Sequence, residues 1–336
     1  MTTVTNPSAV LRAVREIVVE DRPLPQPGAG QVQVAIGAVG ICGSDVHYYE
    51  HGRIGDFVLN EPMVIGHESA GVITSVGEGV DPTRLGQLVA LEPGVPCKSC
   101  RQCLAGRYNL CPDVQFFATP PVDGSIAKYV VHDAAFAHPA PAGLTAEQAA
   151  MAEPVSVGVW ACRKAEVSVG DRVLVTGAGP VGLFAAQAAR AFGASSVTVT
   201  DLSDFRLDVA RELGFDARRA DQALATNSFD VLFECSGAAP AFKAGMRSLD
   251  RAGRAVVIGM GSDELPLEVF ALQGKELTVS GVFRYRNCYP AALELISSGA
   301  VQVAPVLTHR FDLPQTEEAL TLVRREPNSL KAVVVP

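Results

Sequence analysis

The stretch from Val173 to Asp201 restricts the architecture of this chain more than any other. An apolar run, Val173–Thr176, enters Gly177-Ala178-Gly179-Pro180-Val181-Gly182, and a second run, VTVT, ends at Asp201, nineteen residues after Gly182. Positions 173–189 carry no charge, but a membrane span needs about 20 apolar residues, and Gly177, Gly179, Pro180 and Gly182 crowd the first half of this stretch. A buried strand, a tight turn and a buried helix explain it better. In G-x-G-x-x-G between strand and helix, Gly177 permits the turn, Gly179 lets backbone approach a pyrophosphate, and Gly182 allows close strand–helix packing. Pro180 and Val181 open the helix, whose N-terminal N–H groups and dipole suit an anion. Asp201 stands where a carboxylate accepts ribose hydroxyls and repels a 2′-phosphate, which predicts NAD rather than NADP. Arg206 complicates that choice, because its guanidinium could stack on adenine or meet a phosphate. The plain alternative is a tight turn whose strand-end Asp caps a helix.

Around this unit, strands alternate with helical periods from about Pro154 onward. The spacing predicts strands at 172–176, 196–200, 230–234, 254–258 and 276–283, with helices at 180–192, 203–213, 240–249 and 290–297, and a last strand at 330–335. Such alternation implies βαβ units around a parallel sheet. Residues before about 150 read instead as short β-rich segments, among them 31–36, 71–76 and 87–91, broken by glycine and proline. The fold class is therefore α/β, a doubly wound parallel sheet plus a β-rich domain. The 336 residues are 48% hydrophobic, with 28 Lys and Arg against 36 Asp and Glu, a net charge of −8. That balance repels polyanions, so neither nucleic acid nor an acidic membrane surface is an expected partner. The N-terminus lacks the pattern of a secretory signal, and a cytoplasmic, reducing setting with free or metal-bound thiols is expected.

Eight cysteines are too few for a disulfide scaffold. Four of them, Cys97, Cys100, Cys103 and Cys111, have the spacing C-x₂-C-x₂-C-x₇-C. Four thiolates on one short loop can close a tetrahedron around zinc with no open position, as in a structural site. An iron–sulfur cluster is the chemical rival. A second constellation is dispersed: Cys42 in GICGSDVH, His67 and Glu68 in GHESAG, and Glu153 before Pro154. Cysteine, histidine and carboxylate are zinc ligand types, and three of them leave a fourth position for water or substrate. On spacing alone, a lone Cys42 is more often a buried small apolar residue and His67 more often a satisfied core histidine.

Together, CGSDVH, GHESAG, the four-cysteine loop and GAGPVG resemble the zinc-dependent medium-chain alcohol dehydrogenases. The runs CGSDVHYYEHGRIG, FFATPPVDG, EPVSVG and GVFRY are similar to the polyol branch, the sorbitol (L-iditol) and xylitol dehydrogenases. The resemblance spans the chain from about residue 8 to its end. It implies a GroES-like catalytic domain over 1–153, rejoined by 286–336, and an NAD-binding Rossmann domain over 154–285. It further implies Cys42, His67 and Glu68 as catalytic zinc ligands. Glu153 would hydrogen-bond the metal-bound water or substrate and is a further candidate ligand. Ser44 would be the hydroxyl beside the reacting alcohol and His47 the next member of a proton path, while Tyr48, Phe116, Thr119, Arg284 and Tyr285 match substrate-pocket positions. The stretch 217–228 is shorter than the family pattern, which should trim a surface loop or helix away from the site.

The implied activity is oxidation of a secondary hydroxyl of a sugar alcohol (sorbitol, xylitol, L-iditol or galactitol type) to a ketose with NAD, using two zinc ions per chain. Zinc as Lewis acid would lower the hydroxyl pKa. Turnover of another secondary alcohol, of the L-threonine or butanediol type, is the alternative, and a catalytically inactive NAD- and zinc-binding protein is the non-enzymatic one. The branch also implies a homotetramer, with the strand near 277–283 a candidate to extend a sheet across a two-fold axis. Cys162, Cys235 and Cys288 receive no role.

Overall fold

A computed structural model describes residues 5–261 and 264–336. The chain forms two compact units, Met1–Glu153 with Leu307–Pro336, and Pro154–Val306.

The first unit is built on a seven-stranded sheet. Its order is Ala137–Pro139, Leu88–Leu91, Glu68–Val76, Gln31–Gly40, Lys331–Val335 and Leu307–Asp312, with Tyr129–Asp133 also pairing on Gln31–Gly40. Side chains alternate across a pleated sheet, and Val32, Val34, Ile36, Val39, Ile73, Val89 and Leu91 turn inward to a core closed by Val334, Leu320 and Leu322. The C-terminal strand lies antiparallel to Gln31–Gly40, pairing Val333 with Gly40 and Val334 with Val39. The last residues of the chain thus sit beside the strand that leads to Cys42. Helix Gly43–His51 follows directly and ends at Gly52, whose φ of 69° is the left-handed C-terminal conformation.

The second unit carries a six-stranded, wholly parallel sheet in the order Asp216–Arg219, Ser196–Asp201, Arg172–Thr176, Phe229–Glu234, Leu249–Val257 and Thr278–Gly281. Buried Leu183, Phe184, Ala185, Ala186, Ala188 and Ala189 on helix Pro180–Ala191 explain the uncharged stretch: the helix is covered nearly all round. The short segment after residue 217 forms strand Asp216–Arg219 and a turn, with no helix before Phe229. The strand expected at 254–258 begins earlier, at Leu249, and the one expected at 276–283 contracts to Thr278–Gly281.

The boundary expected at 286 moves to 307. Residues 286–306 stay with the parallel-sheet unit because their contacts are there. Helix Tyr289–Ser297 buries Tyr289, Ala292, Leu293 and Ile296, Arg163 donates to the Asn287 carbonyl at 2.8 Å, and Gln187 exchanges two hydrogen bonds with the Gln302 backbone.

Candidate functional site

Strand register assembles the first site. Gly40 and Glu68 are partners on adjacent antiparallel strands, so Cys42, two residues past Gly40, arrives beside His67 and Glu68. One ligand atom from each of Cys42, His67 and Glu68 lies within 4.8 Å of the other two. His67 and Glu68 are buried, at 6% and 1% exposure. The Glu68 carboxylate, though ion-paired with Lys331 Nζ at 2.5 Å, brings a buried negative charge to the point where a thiol and an imidazole converge, an arrangement that suits a further cation. The donor set of thiolate, imidazole and carboxylate therefore fits zinc.

Two residues that the sequence reading missed hold these ligands. Asp45, 1% exposed, accepts the Cys42 N–H at 2.9 Å and the Gly66 N–H at 3.0 Å, and its Oδ1 lies 3.6 Å from His67 Nδ1. A carboxylate behind a ligating histidine fixes ring orientation and raises basicity. Burial opposes ionisation of Asp45, yet the His67 charge and the hydrogen bonds from His67, Cys42 and Gly66 hold its carboxyl below the usual range. His67 is likewise raised well above its ordinary value by Asp45 and Cys42, against its own burial. A bound metal would take the place of that proton.

Lys331 comes from the opposite end of the sequence. Its Nζ lies 2.5 Å from the Glu68 carboxylate and donates to the Ile41 carbonyl at 2.7 Å, with a side chain only 4% exposed. Burial favours the neutral amine, but Glu68, then Cys42, and Glu153 more weakly, keep its pKa raised. Gly40 leaves room for this pair: a Cβ there would stand 2.1 Å from Glu68 Oε2 and 3.1 Å from Lys331 Cε.

The remaining expected residues take distinct places. Ser44, His47 and Tyr48 share helix Gly43–His51, where Ser44 is half-buried, His47 exposed and Tyr48 buried. The Phe116 ring centroid lies 5.7 Å from that of His67, so Phe116 walls the metal-ligating group. Thr119, half-buried, belongs to the same loop, its N–H donating to the Phe116 carbonyl at 3.1 Å. Glu153 is 6% exposed in the first turn of helix Ala152–Lys164, and it lies outside the group of three. Arg284 and Tyr285 belong to the second unit. The Arg284 guanidinium lies 4.8 Å from the Phe283 ring centroid, and Tyr285, 3% exposed, packs on Tyr289.

The four-cysteine loop forms a second metal-ligating group, with one sulfur from each of Cys97, Cys100, Cys103 and Cys111 within 4.8 Å of the others. The Cys100–Cys103 and Cys97–Cys103 sulfurs are 3.5 and 4.0 Å apart. Zinc–sulfur bonds of about 2.3 Å in a tetrahedron put sulfurs roughly 3.8 Å apart. A cluster of several irons would spread them farther, so the geometry favours a single ion. Backbone N–H groups of Ser99 and Cys100 pull the Cys97 thiol down to about 6, while burial and its neighbouring thiols push Cys103 up to about 12. Four sulfurs this close cannot all ionise without a cation. Behind the loop, buried Glu92 accepts the Tyr108 hydroxyl at 2.7 Å and lies 2.8 Å from His138 Nε2.

In the second unit, Gly177 has φ 92°, and a Cβ on Gly182 would stand 1.9 Å from the Gly177 carbonyl oxygen. At Gly179 a Cβ would meet no atom within 4 Å. The chain's own packing thus demands glycine at 177 and 182, while 179 faces open space, as a position approached by a ligand should. Pro180 and Val181 form the first turn of helix Pro180–Ala191. Asp201 accepts the Ala178 N–H at 2.7 Å and the Ser203 N–H at 2.9 Å. Its structural role is therefore real, and a carboxylate's roughly four acceptor positions leave room for ribose hydroxyls. Arg206 lies in the first turn of helix Asp204–Glu212, its Nε buried and without a hydrogen-bond partner. Glu234, fully buried and absent from the sequence reading, accepts the N–H groups of Ser236 at 2.9 Å and Gly237 at 3.0 Å, shaping the neighbouring loop.

A parallel-sheet unit with this glycine turn, joined in one chain to a β-rich unit with a Cys–His–Glu group, defines a zinc-binding dehydrogenase. Residues 28–142 match the alcohol dehydrogenase GroES-like domain family and residues 180–298 the zinc-binding dehydrogenase family. The chain belongs to the zinc-dependent medium-chain alcohol dehydrogenases, in their polyol branch. It is 42% identical to sorbitol dehydrogenase of Mus musculus over 95% of this chain and 93% of that one. It is 41% identical to sorbitol dehydrogenase of Bacillus subtilis over 98% and 97%. The solved structure of L-idonate 5-dehydrogenase from Escherichia coli superposes with a TM-score of 0.91 at 29% identity, covering 99% of each chain.

Proposed function

We propose that this enzyme oxidises a secondary hydroxyl of a sugar alcohol of the sorbitol, xylitol, L-iditol or galactitol type to a ketose, with NAD as the preferred cofactor. The observation that carries the reading is the convergence of half-buried Cys42 with buried His67 and Glu68 on one spot, walled by Phe116 and followed in the chain by Ser44. When bound, zinc supplies Lewis-acid activation of the hydroxyl and NAD the hydride acceptor.

The chain's own residues do the rest. Cys42, His67 and Glu68 hold the metal, oriented by Asp45 and Lys331, and Glu153 hydrogen-bonds water or substrate beside it. The Ser44 hydroxyl takes the proton from the substrate oxygen and passes it to His47, three residues along the same helix and exposed to solvent. Phe116 excludes water from one side of the metal group. Tyr48 and Thr119 supply polar groups for the substrate hydroxyls, since paired polar groups discriminate among hydroxylated substrates. Asp201 favours NAD by repelling a 2′-phosphate. Cys97, Cys100, Cys103 and Cys111 hold a second, structural zinc, and a cytoplasmic setting keeps these thiols reduced. A homotetramer suits the sheet edge at Thr278–Gly281, where Val279 is 38% exposed.

The test is an NAD-reduction screen over sorbitol, xylitol, galactitol, ribitol, L-iditol, arabitol, butanediol and L-threonine, with metal content measured in parallel. Polyol turnover, two zinc ions per chain, and loss of turnover but not of NADH binding in Cys42→Ser or His67→Ala are expected. Turnover confined to L-threonine or butanediol, or activity that survives metal removal, would overturn the reading.

A further inference from the structure

Helix Gly43–His51 carries two histidines four residues apart, His47 and His51. Residues at i and i+4 share a helix face, with Cβ atoms about 5–6 Å apart. Both side chains are exposed, and their ring centroids lie 5.1 Å apart. Two imidazoles so placed can converge on one ion through metal–nitrogen bonds of about 2.0–2.1 Å. A carboxylate stands next to His51: Glu50 Oε2 lies 3.7 Å from His51 Nε2, while Glu50 Oε1 is held 2.6 Å from Arg324 Nη2. The guanidinium therefore fixes one oxygen and leaves the other facing the histidine. Neither imidazole belongs to the Cys42–His67–Glu68 group.

We propose that His47 and His51 form a further, inhibitory metal site. Its ligands are imidazole nitrogens, so it takes Ni2+, Cu2+ or excess Zn2+, and not Mg2+ or Ca2+, which require oxygen ligands. Occupation engages the His47 nitrogen lone pair with the metal, and His47 can then no longer accept the proton passed from Ser44. The binding claim stands on the helix geometry alone. The inhibitory consequence rests on the proton path proposed above.

The test uses the zinc-loaded enzyme and Ni2+ alone. Isothermal titration calorimetry measures Ni2+ binding to wild type and His51→Gln, NAD reduction with the best polyol is assayed over the same Ni2+ range, and zinc content is checked before and after. His51 lies outside the proton path, so His51→Gln should keep its basal turnover. Removing one member of a chelating pair forfeits the effective concentration of the second ligand. The half-inhibiting Ni2+ concentration and the dissociation constant should therefore both rise at least about tenfold in His51→Gln, and Mg2+ should do nothing to either protein. Equal Ni2+ affinity in the two proteins would overturn the site. Equal inhibition of both, or inhibition that tracks loss of zinc, would overturn its coupling to turnover. Failure of the polyol reading would show separately, as no turnover on any polyol, and the calorimetric titration would still decide the site.

Discussion

Lys331→Met should cost the metal-free protein far more than the zinc-loaded one. The Lys331 and Glu68 side chains are 4% and 1% exposed, with Nζ 2.5 Å from the carboxylate. Removing one partner of a buried ion pair leaves an uncompensated charge, which costs about 3–5 kcal/mol. For a folding unit of roughly 150–250 residues, each kcal/mol moves the melting temperature by about 2–4 °C. The chelated variant should then melt roughly 6–20 °C below chelated wild type. With zinc at Cys42, His67 and Glu68, the cation supplies the missing positive charge, and the loss should fall to less than about half of that. Differential scanning calorimetry with and without chelator measures both gaps. Glu68→Gln combined with Lys331→Met removes both charges and should recover part of the stability in chelator. Equal losses with and without zinc, or a loss below about 1 kcal/mol in both states, would refute the account of Lys331 as the charge partner of a metal ligand.

Asp45→Asn should lower zinc affinity and turnover about 10- to 100-fold, because His67 loses the carboxylate behind it; competition with a chelating dye reads the affinity. Cys103→Ser should leave one zinc per chain by mass spectrometry and a lower melting temperature, since three thiolates no longer close the tetrahedron. Asp201→Ala should raise the KM for NAD, narrow the preference over NADP, and lower stability in the absence of cofactor, because the Ala178 and Ser203 N–H groups lose their acceptor. His132 is 4% exposed, and burial pushes its pKa down to about 4. The unfolded chain therefore binds a proton near 6.5 that the folded one refuses until about 4, so stability falls as pH drops through that window. Between pH 7 and 5 His132 should account for about 2 kcal/mol of lost stability, and His132→Gln should flatten that slope in denaturant titrations.

The nucleotide half was legible because its signals are local. Strand, glycine turn, helix and acid fall within thirty residues, and Arg172–Thr176 lies where its pattern predicts. The metal group was legible only through resemblance: Cys42 and His67 become neighbours through strand register, which spacing does not encode. Asp45 could have been found, since C-x-x-D at a helix start is a capping pattern. Lys331 could not, because it lies in a strand that reads as apolar and meets Glu68 across 263 residues. The boundary at 307 was missed for a similar reason: the apolar face of helix Tyr289–Ser297 says that it packs, but not on which sheet.

The antiparallel pairing of Lys331–Val335 on Gln31–Gly40 has a consequence for the order in which this protein can mature. Chains generally fold from the N-terminus as synthesis proceeds, yet the unit that holds Glu68 lacks a strand and the charge partner of Glu68 until Lys331–Val335 has been made. The inserted parallel-sheet unit holds all of its own strands long before that. A chain that stops before Lys331 would therefore keep an intact nucleotide half and an unfinished metal centre.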